Sequence, residues 1–166
     1  MARVIYFAHG QESGPWGSKI LLLADIARSR GLAVESPDYR FSLDGLPRLT
    51  ELRRRLADDP RKKLLVGSSM GAWVSCMAAS EQGCQGLFLM APAFEMPDHE
   101  PAHLPRKLPA WIIHGSEDAV VPVSQSETRL RGGQDRLLRV PDGHRLANSH
   151  DVLSRFFEAF LNQNAA

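Results

Sequence analysis

Residues 64–73 read Leu64-Leu65-Val66-Gly67-Ser68-Ser69-Met70-Gly71-Ala72-Trp73, and this stretch decides the fold of the 166-residue chain. Its three opening apolar residues are typical of a strand that is buried on both faces. The pattern Gly-x-Ser-x-Gly follows, and an alanine-rich segment of helical character runs on from Gly71 to Ser80. Strand, sharp turn and helix in this order predict that Ser69 lies at the apex of a strained turn, with its hydroxyl pointing out of the sheet.

Short apolar runs of the same kind, bounded by Gly or Pro, recur along the chain and alternate with helical patterns. They are Val4–Ala8, Leu32–Glu35, Leu64–Val66, Leu87–Met90, Trp111–Ile113 and the more mixed Leu137–Val140. Alternation of strand and helix predicts βαβ units with right-handed crossovers. We therefore expect an α/β fold with three layers, α/β/α, around a mostly parallel sheet of about six strands.

Apolar stripes at helical spacing predict which helix faces pack on this sheet. Three stripes are clear: Trp16, Ile20, Leu23 and Ala27, ending at Gly31; Leu46, Leu49, Leu52 and Leu56 after a possible Asp44 cap; and Leu153, Phe156, Phe157, Phe160 and Leu161. Residues 92–108 carry four prolines and no helical period, which predicts an irregular surface excursion. The length predicts a single domain over residues 1–166.

Composition excludes several classes of protein. Lys and Arg number 20 against 19 Asp and Glu, so no strong positive field favours nucleic acid. No apolar run is long enough to span a membrane, and Val4–Ala8 is too short for a signal peptide. Cys76 and Cys84 lie inside or just after one predicted helix and are expected to stay unpaired. These features predict a cytoplasmic protein.

An acid and a base follow the serine along the chain. Asp118 lies in the turn after the strand Trp111–Ile113, and His144 comes just after the strand Leu137–Val140. The carboxyl ends of parallel strands share one edge of a sheet, so Ser69, Asp118 and His144 are expected to meet there. Such a set would supply nucleophile, orienting acid and base. The Met70 amide, at a helix N-terminus, is expected to donate to an oxyanion.

Several neighbouring residues are rivals for these roles. Ser68 is the other hydroxyl of the turn, but it falls at an x position of the pattern and is expected to face the sheet or a neighbouring loop. Glu117 and Asp142 are the rival acids, and Asp142 lies only two residues from His144. His114, which ends a strand beside a glycine, is expected to pack in its turn.

Three further stretches complete the pattern: His9-Gly10 after the first strand, His-Gly-Ser-Glu-Asp-Ala-Val-Val-Pro around the acid, and Asp-Gly-His-Arg-Leu around the base. Together with Gly-Ser-Ser-Met-Gly they resemble a small serine hydrolase of the α/β-hydrolase superfamily. The resemblance implies that the amide of Gln11 is the second oxyanion donor, while His9 packs or bonds locally. Two departures are that the usual first strands are missing and that the excursion 92–108 replaces a lid domain.

The sequence thus predicts a hydrolase that cleaves a small-molecule ester or thioester through an acyl-enzyme, without a metal or organic cofactor. Pocket candidates are His9, Trp16, Phe94 and Met96. The alternatives are a non-catalytic binding protein on the same scaffold and a peptidase. A basic run of six residues, namely Arg53, Arg54, Arg55, Arg61, Lys62 and Lys63, is expected to form a solvated face, with an acidic partner as the alternative.

Overall fold

The computed structural model describes residues 2–81 and 83–165, along which strands and helices alternate. The strands are β1 (Arg3–Ala8), β2 (Ala33–Glu35), β3 (Lys62–Ser68), β4 (Cys84–Met90), β5 (Ala110–Gly115) and β6 (Arg136–Val140). The helices are α1 (Ser18–Ser29), α2 (Gly45–Asp58), α3 (Met70–Ala78), α4 (Ser124–Glu127) and α5 (His150–Asn164).

The strands form one six-stranded sheet in the order β2-β1-β3-β4-β5-β6, and each neighbouring pair is parallel. The predicted three-layer α/β fold is therefore confirmed. The four inner strands are the continuous apolar runs, because both of their faces are covered. β2 and β6, at the edges, are only partly buried and carry more polar residues.

Helices pack on both faces of the sheet and divide the core in two. One core combines α2 and α3 with the sheet and includes Leu52 and Trp73. The other combines α1 and α5 with the opposite face, where the Phe88 ring meets Phe157 at 5.0 Å and Phe160 at 5.4 Å between centroids. The stripe predicted for α5 is buried as expected, apart from Phe156, which is partly buried.

The stripe predicted for α2 is wrong at its first residue. Leu46 is 52% exposed, whereas Arg48 is only 1% exposed and takes its place on the inner face. Gly45 also faces the core, so close to Trp73 that a Cβ there would come within 2.9 Å of its ring. The Asp44 cap is present, since its side chain accepts a hydrogen bond from the Leu46 amide at 3.0 Å.

The two cysteines belong to different elements, which corrects the expectation that they lie in or just after one helix. α3 ends at Ala78 with Cys76 buried inside it, and Cys84 begins β4. Both are free thiols, as expected.

The segment 92–108 contains neither helix nor strand, in agreement with its proline content. Hydrogen bonds to its backbone nevertheless hold it against the protein. The Trp73 indole donates to the Glu100 carbonyl at 2.9 Å, and Arg131 donates to the Leu108 carbonyl at 2.8 Å. The segment is thus a tethered loop that lies over α3, not a helical lid.

Candidate active site

The candidate site lies at the carboxyl edge of the sheet, in the crevice between β1 and β3, where the order of the strands reverses. After β1 the chain continues to β2 on one side, and after β3 it continues to β4 on the other side, so the loops that follow β1 and β3 diverge there. Open α/β sheets place their ligand sites at such a point. Ser69 follows β3, and the loop that contains Gly10 and Gln11 follows β1.

Ser69 lies between β3 and α3 with φ 53° and ψ −116°, a conformation that L residues rarely adopt. The two glycines of the pattern permit it. A Cβ at Gly71 would lie 1.9 Å from the Ala8 carbonyl oxygen, and one at Gly67 would lie 2.5 Å from the Gly71 carbonyl oxygen. Strand and helix therefore approach more closely than any other residue would allow, and the strained turn presents the Ser69 hydroxyl at the edge of the sheet.

His144, in the loop between β6 and α5, joins the serine to the acid. Its Nε2 lies 3.0 Å from Ser69 Oγ, and its Nδ1 lies 2.8 Å from Asp118 Oδ2. An ionised carboxylate can only accept, so Nδ1 carries the hydrogen and Nε2 is left to accept from the hydroxyl. The His144 side chain is 21% exposed, whereas that of Asp118 is fully buried.

Asp118 is held by its own turn. Its Oδ1 accepts hydrogen bonds from the amides of Val120 at 2.9 Å and Val121 at 2.8 Å, so only Oδ2 faces the imidazole of His144. Burial alone would raise the pKa of Asp118, but the hydrogen bonds from Val121, His144 and Val120 outweigh it and hold the pKa below its ordinary value. The carboxylate therefore stays charged beside the imidazole.

A second histidine contacts the same carboxylate. His114 is fully buried, and its Nε2 donates to the Val121 carbonyl at 2.9 Å while lying 3.3 Å from Asp118 Oδ2. Its Nδ1 lies 2.7 Å from the Ser126 hydroxyl. His114 packs in its turn as predicted, but the contact with Asp118 was not foreseen, because it depends on how the turn folds back.

Asp142, the rival acid, organises the loop that carries His144. Its carboxylate accepts from the Gly143 amide at 2.7 Å, the Asn148 amide at 2.8 Å and the Ser149 hydroxyl at 2.7 Å. These bonds, that from Ser149 foremost, lower the pKa of Asp142. These three donors all belong to the loop of Asp142 itself, and the His144 ring takes its carboxylate partner from Asp118 instead.

Two backbone amides near Ser69 lack acceptors. Among residues 2–81 and 83–165, no hydrogen-bond acceptor is recorded for the N–H of Met70 or of Gln11. Met70 is the first residue of α3, where an N–H has no partner within the helix. The Gln11 amide follows Gly10, which lies close to Ser69, since a Cβ on Gly10 would be 3.6 Å from the Ser69 Cβ. These are the two amides expected to bind an oxyanion.

The four pocket candidates lie in different environments. His9 is 1% exposed and both of its ring nitrogens have protein partners, so it packs and bonds locally, as the resemblance implies. Phe94 is also fully buried and belongs to the core. Trp16 is 43% exposed, with the Arg28 guanidinium over its ring at 5.4 Å. Met96 is half-buried in the segment 92–108, against the core.

The basic run near the end of α2 is in part an ion-paired surface, through Arg54, Arg55 and Arg61. Glu51 contacts Arg54 at 2.7 Å and Arg55 at 2.8 Å. Glu51 therefore offsets part of the positive charge of this run. Lys63 departs from the expectation of a solvated face, since it is only 2% exposed.

Within the part of the chain that the structure describes, no group of three or more His, Cys, Asp or Glu residues is arranged to hold a metal ion. None of the described helices is long and apolar enough to cross a membrane.

Comparison with protein families places the chain. The model of the alpha/beta hydrolase family matches residues 5–163. The chain therefore belongs to the alpha/beta hydrolase family, as its motifs predicted. No curated protein sequence matches it significantly.

Solved structures agree with this family. A protein of the alpha/beta hydrolase superfamily from Xanthomonas campestris pv. campestris shares 29% identity over 98% of both chains, with a TM-score of 0.89. A serine hydrolase without a lid from Xanthomonas campestris shares 23% identity over 97% of this chain and 81% of its own, with a TM-score of 0.77. Est1E from Butyrivibrio proteoclasticus, with ferulic acid bound, shares 16% identity over 99% of this chain and 90% of its own, with a TM-score of 0.76. The last two similarities indicate a common fold.

Proposed function

We propose that this protein is a serine hydrolase that cleaves a carboxylic ester or thioester of a small or medium acyl group. The observation that carries the proposal is the single imidazole of His144, which bonds Ser69 Oγ at 3.0 Å on one side and Asp118 Oδ2 at 2.8 Å on the other. Serine, histidine and aspartate in this order of contact form the constellation for acyl transfer.

Catalysis proceeds in two halves. Ser69 Oγ attacks the acyl carbonyl carbon while its proton passes to His144 Nε2, and Asp118 stabilises the resulting imidazolium. When the tetrahedral intermediate collapses, the bond to the leaving oxygen or sulfur breaks and His144 returns the proton to that atom. Water, deprotonated by His144, then attacks the acyl-enzyme, and a second collapse releases the carboxylic acid and restores Ser69.

The negative charge of each tetrahedral intermediate falls on the former carbonyl oxygen. The unpaired amides of Met70 and Gln11 are the groups that we propose to bind it. The Met70 amide also stands at the N-terminus of α3, where the helix dipole favours a negative charge. Donors of this type act because they are in place before the charge develops.

The surroundings of Ser69 favour short acyl groups. The segment 92–108 has no helix that could close over the serine. Ser69 and His144 are both half-buried rather than sealed off. A site open to water removes little of a long chain from solvent, so only the first few carbons of the acyl group gain binding energy.

A fluorophosphonate probe tests this proposal, with two adjacent serines as a matched pair. We expect the wild-type protein and Ser68→Ala to be labelled on one serine, and Ser69→Ala to be unlabelled. Hydrolysis of 4-nitrophenyl acetate should fall by roughly 10³-fold or more in Ser69→Ala, because only binding and oxyanion contributions remain.

The other outcomes separate the alternatives. Loss of labelling in Ser68→Ala, with Ser69→Ala still reactive, would reject the assignment of the nucleophile. A folded wild-type protein that neither reacts with the probe nor turns over esters and thioesters would instead be a binding protein. Turnover of peptides in preference to esters would identify a peptidase.

A further inference from the structure

The guanidinium of Arg48 is buried beneath the loop that follows β1. It is 1% exposed, and in the described ranges no carboxylate lies within 4.0 Å of it. Its hydrogen bonds go to backbone carbonyls instead: Nε to Ser42 at 2.8 Å, Nη1 to His9 at 3.2 Å and Gly10 at 3.0 Å, and Nη2 to Gln11 at 3.1 Å. A buried charge without an opposite charge is costly, so its retention calls for a reason beyond packing.

Three successive carbonyls pointing at one cation determine the direction of the amides in the same loop. The C=O of one residue and the N–H of the next are antiparallel in a trans peptide, and no cis peptide occurs among the described residues. With the Gly10 carbonyl directed at Arg48, the Gln11 N–H must point away from it. The same peptide lies beside Ser69, as the 3.6 Å approach of a Gly10 Cβ indicates.

His9 supports the same peptide from a second direction. The Tyr39 amide donates to His9 Nε2 at 2.9 Å, so the hydrogen of the neutral ring is on Nδ1, which donates to the Gly10 carbonyl at 2.8 Å. Burial lowers the pKa of His9, with Arg48 adding a smaller contribution, and this favours the neutral ring. The closest donors to the Gly10 carbonyl are therefore Arg48 and His9, and the Ser13 amide and hydroxyl reach it only at 3.4 Å.

We propose that Arg48 is a positioning residue that aims the Gln11 amide at the oxyanion formed on Ser69. The inference rests on the proposed function and adds the residue that builds one half of the oxyanion site. Arg48 touches neither substrate nor nucleophile and acts only through the Gly10–Gln11 peptide.

The positive charge of Arg48 would also strengthen the Gln11 amide as a hydrogen-bond donor. A carbonyl that accepts from a cation is polarised, and the N–H at the other end of the same peptide becomes a stronger donor. When negative charge develops on the substrate oxygen, the buried cation gains an opposite charge across that peptide. This interaction is stronger in the transition state than in the resting enzyme, which is the condition for accelerating the reaction.

The test compares Arg48→Lys and Arg48→Gln with a control on the same helix, Arg54→Gln. Arg54 is 58% exposed at its side chain and pairs with Glu51, so its loss should leave activity unchanged. For the Arg48 variants we expect kcat for 4-nitrophenyl acetate to fall about 10- to 100-fold, somewhat less than the loss of a whole oxyanion donor, with KM nearly constant. Affinity for phenylboronic acid, which forms a tetrahedral anion on the serine, should fall by the same factor.

Thermal melting identifies the folded variants. A folded Arg48→Gln or Arg48→Lys protein with wild-type kcat and wild-type boronate affinity would overturn the proposal. A fall in kcat without any loss of boronate affinity would overturn it as well, because a misaimed amide must weaken both.

A measurement on the wild-type protein covers the case in which the variants do not fold. In the boronate adduct, the amide proton resonances of both Met70 and Gln11 should move downfield in ¹⁵N-resolved NMR spectra. If Met70 responds and Gln11 does not, Gln11 is not a donor and Arg48 serves the fold alone. A wild-type protein that shows no probe labelling and no ester turnover refutes the proposed function itself, which is a different result from either of these.

Discussion

Replacing Asp118 by Asn should abolish most activity while leaving the fold intact, and the geometry explains why. Oδ1 of Asp118 accepts from two amides, those of Val120 and Val121, so the oxygen of an asparagine must take that position. Its NH₂ group then occupies the place of Oδ2, which faces His144 Nδ1 at 2.8 Å. Two donors cannot face each other, so the imidazole hydrogen moves to Nε2.

The expected loss follows from this change of tautomer. With a hydrogen on Nε2, His144 can no longer accept the Ser69 proton, and the corresponding replacement in a well-studied triad lowers kcat by about 10⁴-fold. Both amide bonds to the side chain remain, and His114 Nε2, 3.3 Å from Oδ2, keeps its own hydrogen bond to the Val121 carbonyl. We therefore expect the melting temperature of Asp118→Asn to stay within a few degrees of the wild type.

Asp142→Asn is the matched control, and the structure predicts the opposite pattern. All three recorded partners of this carboxylate are donors, so an NH₂ group must face at least one of them. Loss of a hydrogen bond at a buried site costs roughly 1–3 kcal/mol, which lowers the melting temperature by roughly 2–12 °C in a chain of this size. The catalytic groups keep their chemistry, so kcat below the transition should fall far less than in Asp118→Asn.

The assay is kcat and KM for 4-nitrophenyl acetate together with thermal melting for both variants. Retention of a tenth or more of wild-type kcat in Asp118→Asn would refute the tautomer argument. So would a larger loss of kcat in Asp142→Asn than in Asp118→Asn, because it would place the orienting acid on the histidine loop.

Three further predictions follow from other parts of the structure. Gly71→Ala should destabilise the protein by roughly 3 kcal/mol or more, because its Cβ would lie 1.9 Å from a backbone oxygen of β1; Gly17→Ala, with no atom within 4 Å, is the control, and equal melting temperatures would contradict the close approach. Across 4-nitrophenyl esters from acetate to palmitate, kcat/KM should rise over the first few carbons and then level off, whereas a continued rise would reveal an acyl tunnel. Bonds to the Pro97 carbonyl and to Asp44 raise the pKa of His99, so their stabilising effect is present below the ordinary histidine pKa of about 6.5 and is lost as pH rises through the raised value. The melting temperature of His99→Gln should therefore lie below that of the wild type at pH 6 and approach it at pH 9; a constant difference would exclude the ring charge as the cause.

Much of the fold was predictable because its signals are local. Continuous apolar runs identified the inner strands, and the spacing of Leu153, Phe157 and Phe160 identified the buried face of α5. Gly67 and Gly71 predicted the close approach of β3 and α3, since only glycine fits where a Cβ would overlap a backbone oxygen. Each of these features depends on a few consecutive residues.

The contacts that tune the candidate site were not predictable, because they join residues far apart in the sequence. Arg48 lies nearly forty residues from the loop that it holds, and His114 reaches Asp118 only after the turn has folded back. One signal was nevertheless present: Arg48 falls four residues before Leu52, within the apolar stripe of α2. A charged residue at such a position must find buried partners, and this rule could have singled it out.

The same long-range contacts hold two buried charges where the proposed mechanism would form charges of the opposite sign. Transfer of the Ser69 proton to His144 creates a positive ring and a negative oxygen in one step. A buried carboxylate, Asp118, lies behind the ring, and a buried guanidinium, Arg48, lies behind the amide that faces the oxygen. Both charges are fixed mainly by backbone groups, amides for the first and carbonyls for the second. Neither buried charge has to reorient as the reaction proceeds. The positive ring and the negative oxygen would therefore form beside groups that are already in position to stabilise them.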